Sequence, residues 1–330
     1  MVRSLSKILV TGGAGFIGSH LVDRLLNEGF EVIVIDNLNT GHLNNLAHHQ
    51  DTKEFRFVKG DIRDSNIVKD LMKDVDAVFH EAALASVTLS MQNPVLTNDV
   101  NVTGTLNLLK VSSDLGVKRF MYASSAAVYG DTSSPQKRED MTLNPTSPYG
   151  VSKLAAENYV SLFNRMYGLE TVSLRYFNVY GPRQRFDIHH AYGGAITIFI
   201  NRLLKNMPPL IYGDGEQTRD FVHIEDIIHA NMLALNSKNA PGEVFNVGTG
   251  ENISISQLAE LLKDIMDKKD LRNICVDSRA TDIRHGYADI SKAKKILGYK
   301  PERSIREGLI ELVNWYYKNE YFTRWTPSRG

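Results

Sequence analysis

Ile8-Leu9-Val10-Thr11-Gly12-Gly13-Ala14-Gly15-Phe16-Ile17-Gly18 decides the fold of this chain. Its first three residues form a short apolar run of the kind that makes a buried strand. The glycines follow, and then Leu21, Leu25 and Leu26 at helical spacing. Strand, tight turn and helix in that order make a dinucleotide cradle. Gly12 permits the turn, Gly15 lets a pyrophosphate approach the backbone, and Gly18 lets helix and strand pack closely. The start of the helix then offers unpaired N–H groups to the phosphates.

A second apolar run, Val32-Ile33-Val34-Ile35, ends in Asp36. A carboxylate at this distance from the glycines accepts the adenosine ribose hydroxyls and repels a 2′-phosphate. The cofactor expected is therefore NAD and not NADP. A glycine pattern alone is weak evidence. The strand, the helix and the acid around it supply its context.

The chemistry is expected further along. Ser147-Pro148 opens a helix, with Ser as N-cap and Pro at the first helical position. Tyr149 and Lys153, four residues apart, share one face of it. A free phenol has a pKa of about 10. A neighbouring ammonium and a positive nicotinamide favour phenolate, which suits a general base acting on a hydroxyl. Upstream, Phe120–Ala123 reads as a strand that ends in Ser124 and Ser125, where a serine can bond the reacting hydroxyl and relay its proton.

Glycine motif, serine pair and Tyr-x-x-x-Lys occur in sequence, and the combination resembles the extended short-chain dehydrogenases/reductases. More narrowly it is similar to their nucleotide-sugar 4-epimerases. The resemblance runs over nearly the whole chain through Gly60-Asp61-Ile62-Arg63, His80-Glu81-Ala82-Ala83, Ser147-Pro148-Tyr149-Gly150, Leu174-Arg175-Tyr176-Phe177-Asn178-Val179-Tyr180-Gly181, Gly213-Asp214-Gly215, Arg219-Asp220-Phe221 and Phe245-Asn246-Val247-Gly248.

The resemblance implies a cofactor set and a substrate set. Phe16, Ile17, Asn37 and Tyr176 join the glycines and Asp36 around NAD. Asp61 and Ile62 flank the adenine, Ala82, Ala83 and Leu84 line the dinucleotide path, and Lys153 also binds the nicotinamide ribose. Asn178, Arg219 and Arg279 meet the substrate diphosphate, Asp282 the uridine ribose, and Tyr212 the uracil. Arginine suits phosphate because its planar fork donates two hydrogen bonds. The catalytic group is then Tyr149, Lys153, Ser125 and Ser124.

Two further places bear on which member of the family this is. Dehydratases and uronate decarboxylases of the family carry an acid just before the position of Val128. This chain has Ala126 and Ala127, which can neither donate nor accept a proton. Oxidation and re-reduction at one carbon remain, which is epimerisation. Galactose-restricted relatives place a bulky Tyr where Gly286 stands, and relatives that accept N-acetylated sugars have a small residue there. A glycine that merely permits a turn is the other reading. The expected activity is 4-epimerisation of UDP-N-acetylglucosamine to UDP-N-acetylgalactosamine. UDP-glucose or UDP-uronate 4-epimerisation is the alternative within the family. A net reductase and a non-catalytic NAD-binding sensor are the readings outside it. Gly194 and Ala195 replace larger residues near the substrate and bear on fine specificity.

Composition bounds the rest. The 330 residues are 42% hydrophobic and 23% charged, normal for a soluble globular protein. The net charge is zero, so no general field draws in nucleic acid or an anionic membrane. Cys275 is the single cysteine, which excludes an intrachain disulfide and a multi-cysteine zinc site. The adjacent pairs His48-His49 and His189-His190 read as solvated loops, and no metal is expected. With no signal peptide and no long apolar run, the cytoplasm is the expected location.

The expected fold class is α/β: a doubly wound parallel Rossmann sheet with a smaller, mixed α/β substrate-binding domain. Residues 1–180 form the NAD-binding domain, with 222–248 returning to it. Residues 181–221 and 249–330 form the nucleotide-sugar domain. Strands are expected near 7–11, 31–36, 55–59, 76–81, 118–124 and 171–176, and one long helix over 94–116. That helix and the one starting at Tyr149 carry apolar residues beyond one stripe. The family often pairs these two helices across a two-fold axis, so a homodimer is expected.

Overall fold

A computed structural model describes residues 5–184, 194–278 and 283–319. The first half of the chain alternates strand and helix. In order come β1 (Lys7–Thr11), α1 (Phe16–Asn27), β2 (Glu31–Asp36), β3 (Phe55–Lys59), α2 (Ser65–Leu71), β4 (Ala77–His80), α3 (Val87–Gln92), α4 (Pro94–Asn98), α5 (Gly104–Leu115) and β5 (Arg119–Ser125). There follow β6 (Gln136–Lys137), α6 (Pro148–Tyr167), β7 (Glu170–Tyr176) and β8 (Asn178–Tyr180). The second half holds α7 (Ala195–Leu204), β9 (Leu210–Tyr212), β10 (Thr218–Arg219), β11 (Phe221–His223), α8 (Ile224–Asn236) and β12 (Val244–Val247). It continues with β13 (Ile253–Ser254), α9 (Ile255–Ile265), β14 (Ile274–Val276), β15 (His285–Ala288), α10 (Ser291–Leu297) and α11 (Ile305–Lys318).

Seven strands make one sheet in the order β12-β7-β5-β4-β1-β2-β3, with every pairing parallel. A parallel sheet must be covered on both faces, and the alternation of side chains along β1 shows how. Ile8 and Val10 pack with α1 and α8 on one side, and Leu9 packs with α2, α5 and α6 on the other. Strand order reverses between β1 and β4, which opens a crevice at their carboxyl ends.

The smaller lobe has its own core. Ile196, Phe199 and Ile200 of α7, Leu258 and Leu262 of α9, and Leu309 and Leu312 of α11 enclose it with Tyr180. A four-stranded sheet, β13-β10-β15-β6, joins the two halves of the chain, because β6 comes from the first half and the other three strands from the second.

The helix expected over 94–116 is present from Pro94 to Leu115, with one departure from regular α geometry inside it. A π-helical stretch, Asp99–Thr103, separates α4 from α5. The wider turn presents Asn101, which accepts from the Leu84 N–H at 2.8 Å and donates to the Ser152 hydroxyl at 2.9 Å. Single π turns of this kind recur at functional sites, and this one ties the loop after β4 to the helix that carries Tyr149.

Candidate functional site

The glycine loop is as crowded as its reading requires. Gly12 has φ +68°, and a Cβ there would sit 2.7 Å from the Ala82 nitrogen. A Cβ on Gly18 would lie 2.3 Å from the Gly12 carbonyl oxygen. Gly15 caps α1 without a side chain, so the first turn of the helix is open toward the crevice. Phe16 and Ile17 are half-buried beside it. An open helix start and a backbone without side chains in the way fit a pyrophosphate.

Asp36 stands at the end of β2 as expected, but it is already engaged. Its carboxylate accepts from Ala14 N–H at 3.0 Å and from Leu38 N–H at 2.8 Å, and burial pushes its pKa up against those bonds. The acid thus shapes the glycine loop, and its carboxylate retains lone pairs that a ribose hydroxyl could use. Asn37 donates to Asp61 at 3.2 Å. Asp61 is held at about 2, chiefly by the hydrogen bonds of Arg63, in a two-pronged pair at 2.9 Å. Ile62 does not offer its side chain to the crevice. It is 5% exposed and packs in the core against Gly104. Ala82, Ala83 and Leu84 line the crevice, half-buried.

The groups expected to react converge where β5 meets α6. The Lys153 ammonium is 4% exposed, donates to the Ala123 carbonyl at 2.8 Å and lies 5.1 Å from the centre of the Tyr122 ring. Burial brings its pKa down to about 8, against the field of Glu81. Burial also raises the Tyr149 phenol, and a hydrogen bond with Ser125 works in the opposite direction.

The two serines part company. Ser125 hydrogen-bonds to Tyr149. Ser124, expected beside it in the catalytic group, is instead buried, and its hydroxyl donates to Glu157 at 2.5 Å. Successive strand residues point to opposite sides, so one of the pair serves packing. Glu157 in turn holds Arg175 through bonds of 2.6 and 3.0 Å. Arg175 donates to Tyr129 at 2.8 Å, and Tyr129 to Asn246 at 2.7 Å.

On the substrate side, one short stretch of chain brings three expected residues together. Asn178 pairs with Phe221 in the β8–β11 ladder, and Arg219 pairs with Gly286 in the β10–β15 ladder. Asp220 lies between them, fully buried, and accepts from Thr249, Gly250 and Ala288 main-chain N–H groups at 2.9, 3.0 and 3.1 Å. Gly286 is a strand residue, and its φ is negative or extended. The nearest atom to a Cβ built on it is Lys137 Cε at 3.8 Å. Neither the backbone nor crowding demands glycine there, which removes the turn reading. Tyr212 ends β9, and its carbonyl accepts from Gln217 at 2.7 Å. Arg279 and Asp282 lie outside the described residues.

His48 and His49 are not a free loop. Both Nε2 atoms meet Asp23 Oδ1, at 2.9 and 2.7 Å, while Arg183 takes Asp23 Oδ2 at 2.7 Å. The short 3-10 turn over Ala47–His49 swings the two rings to one side. The carboxylate is therefore satisfied by three partners within the chain. His189 and His190 lie outside the described residues.

Four residues with evident work escaped the sequence reading: Glu81, Asn101, Glu157 and Asp220. Glu81 and Asp220 sit inside motifs that were noticed, yet a motif does not say which way a side chain points. Asn101 depends on the π turn and Glu157 on the partner strand, and neither leaves a local signal.

Comparison with known proteins agrees with this geometry. Residues 8–248 match the family model described as NAD dependent epimerase/dehydratase family. A UDP-glucuronate 4-epimerase of Thermodesulfobacterium geofontis is 39% identical over 322 residues, covering 94% of this chain and 96% of its own. The crystal structure of a UDP-glucose 4-epimerase from Thermotoga maritima with UDP-glucose superposes with a TM-score of 0.89 at 39% identity, covering 95% of this chain and 99% of that one. A UDP-N-acetylglucosamine 4-epimerase from Methanobrevibacter ruminantium M1, in complex with UDP-N-acetylmuramic acid, gives a TM-score of 0.89 at 37% identity, covering 96% and 100%.

Proposed function

Because this chain belongs to the NAD-dependent epimerase/dehydratase family, among its UDP-sugar 4-epimerases, we propose that it interconverts UDP-N-acetylglucosamine and UDP-N-acetylgalactosamine. The observation that carries the choice of sugar is the open space at Gly286, beside Arg219 and on the strand next to it. An acetamido group needs room that a large side chain would take. Ala126 and Ala127, which follow Ser125 in a 3-10 turn, leave no acid for elimination or decarboxylation.

NAD, when bound, supplies the acceptor and later the donor of a hydride. Everything else falls to the chain. Tyr149 takes the proton of the sugar 4-hydroxyl, with Ser125 bridging. Lys153 provides the positive charge that makes phenolate accessible. Arg219 and Asn178 hold the diphosphate while the 4-keto sugar turns to present its other face. Tyr149 then returns the proton. Because the hydride taken from the sugar would be returned to it, the reaction has no net demand for NAD.

The relatives that carry UDP-glucose and UDP-glucuronate names keep a second reading in view, in which the sugar at the same site is a hexose or a uronate. Incubation with UDP-N-acetylglucosamine and no added cofactor, followed by proton NMR, tests the proposal. Formation of UDP-N-acetylgalactosamine is the expected result. Turnover of UDP-glucose or UDP-glucuronate with none of the acetamido sugar would replace it with the second reading.

The assembly we propose is a homodimer. Met91, Val95 and Leu96 next to α6, and Val151, Leu162 and Met166 on it, leave apolar side chains exposed on neighbouring helices. No described helix is long and apolar enough to cross a membrane.

A further inference from the structure

Among the acids near the site, Glu81 accepts from the Tyr176 hydroxyl at 2.9 Å and Glu157 holds Arg175, so each answers another side chain. Asp220 answers chiefly the main chain. One carboxylate oxygen accepts from the Thr249 N–H at 2.9 Å and from the Thr249 hydroxyl at 2.7 Å. The other accepts from the Gly250 N–H at 3.0 Å and the Ala288 N–H at 3.1 Å. Four donors meet two oxygens, which is the full capacity of a carboxylate. The side chain is fully buried, and a Cβ built on Gly248 would lie 2.6 Å from one of its oxygens. Neither a lone pair nor room is left for a ligand. Asp220 can therefore act on the site only through the segments it holds.

Those segments carry the residues expected to meet the substrate. Arg219 ends β10 and precedes Asp220 directly. The Asp220 carbonyl accepts from the Asn178 N–H at 3.0 Å, which ties β8 to the same residue. Ala288 lies two positions beyond Gly286 on β15. Thr249 and Gly250 follow β12, the edge strand of the seven-stranded sheet. The pairing of β10 with β15 is short: Thr218 faces His285, Arg219 faces Gly286, and there the ladder stops. The bond from Ala288 to the Asp220 carboxylate continues it with a side chain. An ionised acceptor makes such a bond stronger than a neutral one does.

We propose that Asp220 is a positioning residue for the nucleotide sugar. It fixes Arg219 and Asn178, at the diphosphate end, against the strand of Gly286, at the sugar end. Through Thr249 and Gly250 it refers both ends to the large sheet. The proposal rests on the reading of Arg219 as a ligand of the diphosphate. Tyr149, Lys153 and Ser125 stand on α6 and β5, outside the bonds that Asp220 makes. Loss of the carboxylate therefore falls on binding and not on the chemical step.

Asp220→Asn keeps the size of the side chain but sets an NH2 against N–H groups that need an acceptor. In the holoenzyme, the Kd of UDP by titration calorimetry is expected to rise about tenfold. KM for whichever UDP-sugar is turned over should rise with it, while kcat stays within about twofold of the parent. Arg219→Ala should weaken UDP as well. The double variant should bind UDP little more weakly than Arg219→Ala alone, because most of what Asp220 positions for a diphosphate is then gone. A merely structural role would lower the urea midpoint and show no such coupling. If Asp220→Asn does not fold, Thr249→Val, which removes only the hydroxyl bond, takes its place. About a threefold rise in Kd is then expected, again shrinking beside Arg219→Ala. Parental UDP affinity and KM in the folded variant, or an effect that adds in full to that of Arg219→Ala, overturns the proposal alone. Parental UDP affinity in Arg219→Ala overturns the diphosphate reading, and the proposal with it.

Discussion

Lys153 donates to the Ala123 carbonyl at 2.8 Å, so the helix that carries the phenol is pinned to the strand that carries Ser125. One side chain supplies both a charge and a fixed distance. Lys153→Met should lose both, and kcat should fall by at least about a hundredfold. Tyr149→Phe should fall as far while keeping its cofactor. Turnover assays together with NAD released on denaturation check this. Tyr149→Phe with near-normal kcat would remove the phenol from the mechanism.

Gly286→Tyr should separate the sugars. With open space around the Cβ position, the variant is expected to fold with unchanged thermal stability. It should lose tenfold or more in kcat/KM for UDP-N-acetylglucosamine and much less for UDP-glucose. Equal activity on both would defeat the pocket argument.

The ion pair of Glu157 and Arg175, 5% and 4% exposed, should behave as a buried pair. Glu157→Ala strands a guanidinium in the core and is expected to cost about 3–5 kcal/mol. Ser124→Ala removes one hydrogen bond to a charged group and should cost about 1.5–3 kcal/mol. Urea unfolding of the variants measures both. If Ser124 were catalytic, its loss would lower kcat far more than stability.

Acid should destabilise the fold through two buried imidazoles. Burial depresses His80 to about 3 and His223 to about 4, below the unfolded value of about 6.5. The unfolded chain therefore binds protons that the folded one refuses, and stability falls as pH drops from about 6.5 toward those values. At pH 5 each histidine accounts for a loss on the order of 2 kcal/mol. His80→Gln should flatten the dependence of the urea midpoint between pH 7 and 5. An unchanged slope would point to other groups.

Val95→Glu and Met166→Glu, at positions 74% and 71% exposed, should leave the isolated subunit intact. They are expected to convert a dimer to a monomer in sedimentation velocity. A monomeric parent would remove the dimer from the proposal.

The sheet was readable because apolar runs, glycines and caps are local signals: β1, β2 and β3 match their expected bounds, and Ser147 caps α6 as its sequence indicates. The π stretch within 94–116 was not readable, since it adds one residue to a helical run and no proline or cap marks the place. In the candidate site, the shared helix face of Tyr149 and Lys153 was legible from their spacing, and the place of Ser125 from its position at the end of a strand. Less was legible at Ser124 and Ile62, where a motif gave the position and only the strand phase or the core could give the direction. The convergence of His48 and His49 on Asp23 required a tertiary contact, which adjacency in sequence does not reveal.

The space around Gly286 has a consequence for descent. A site where side chains can grow without straining the fold places few barriers in the way of drift. If Gly286 sets the sugar as proposed, preference can change by single steps while the scaffold is preserved. Relatives that share more than a third of their residues with this chain carry different sugars in their names, so the scaffold tolerates such changes.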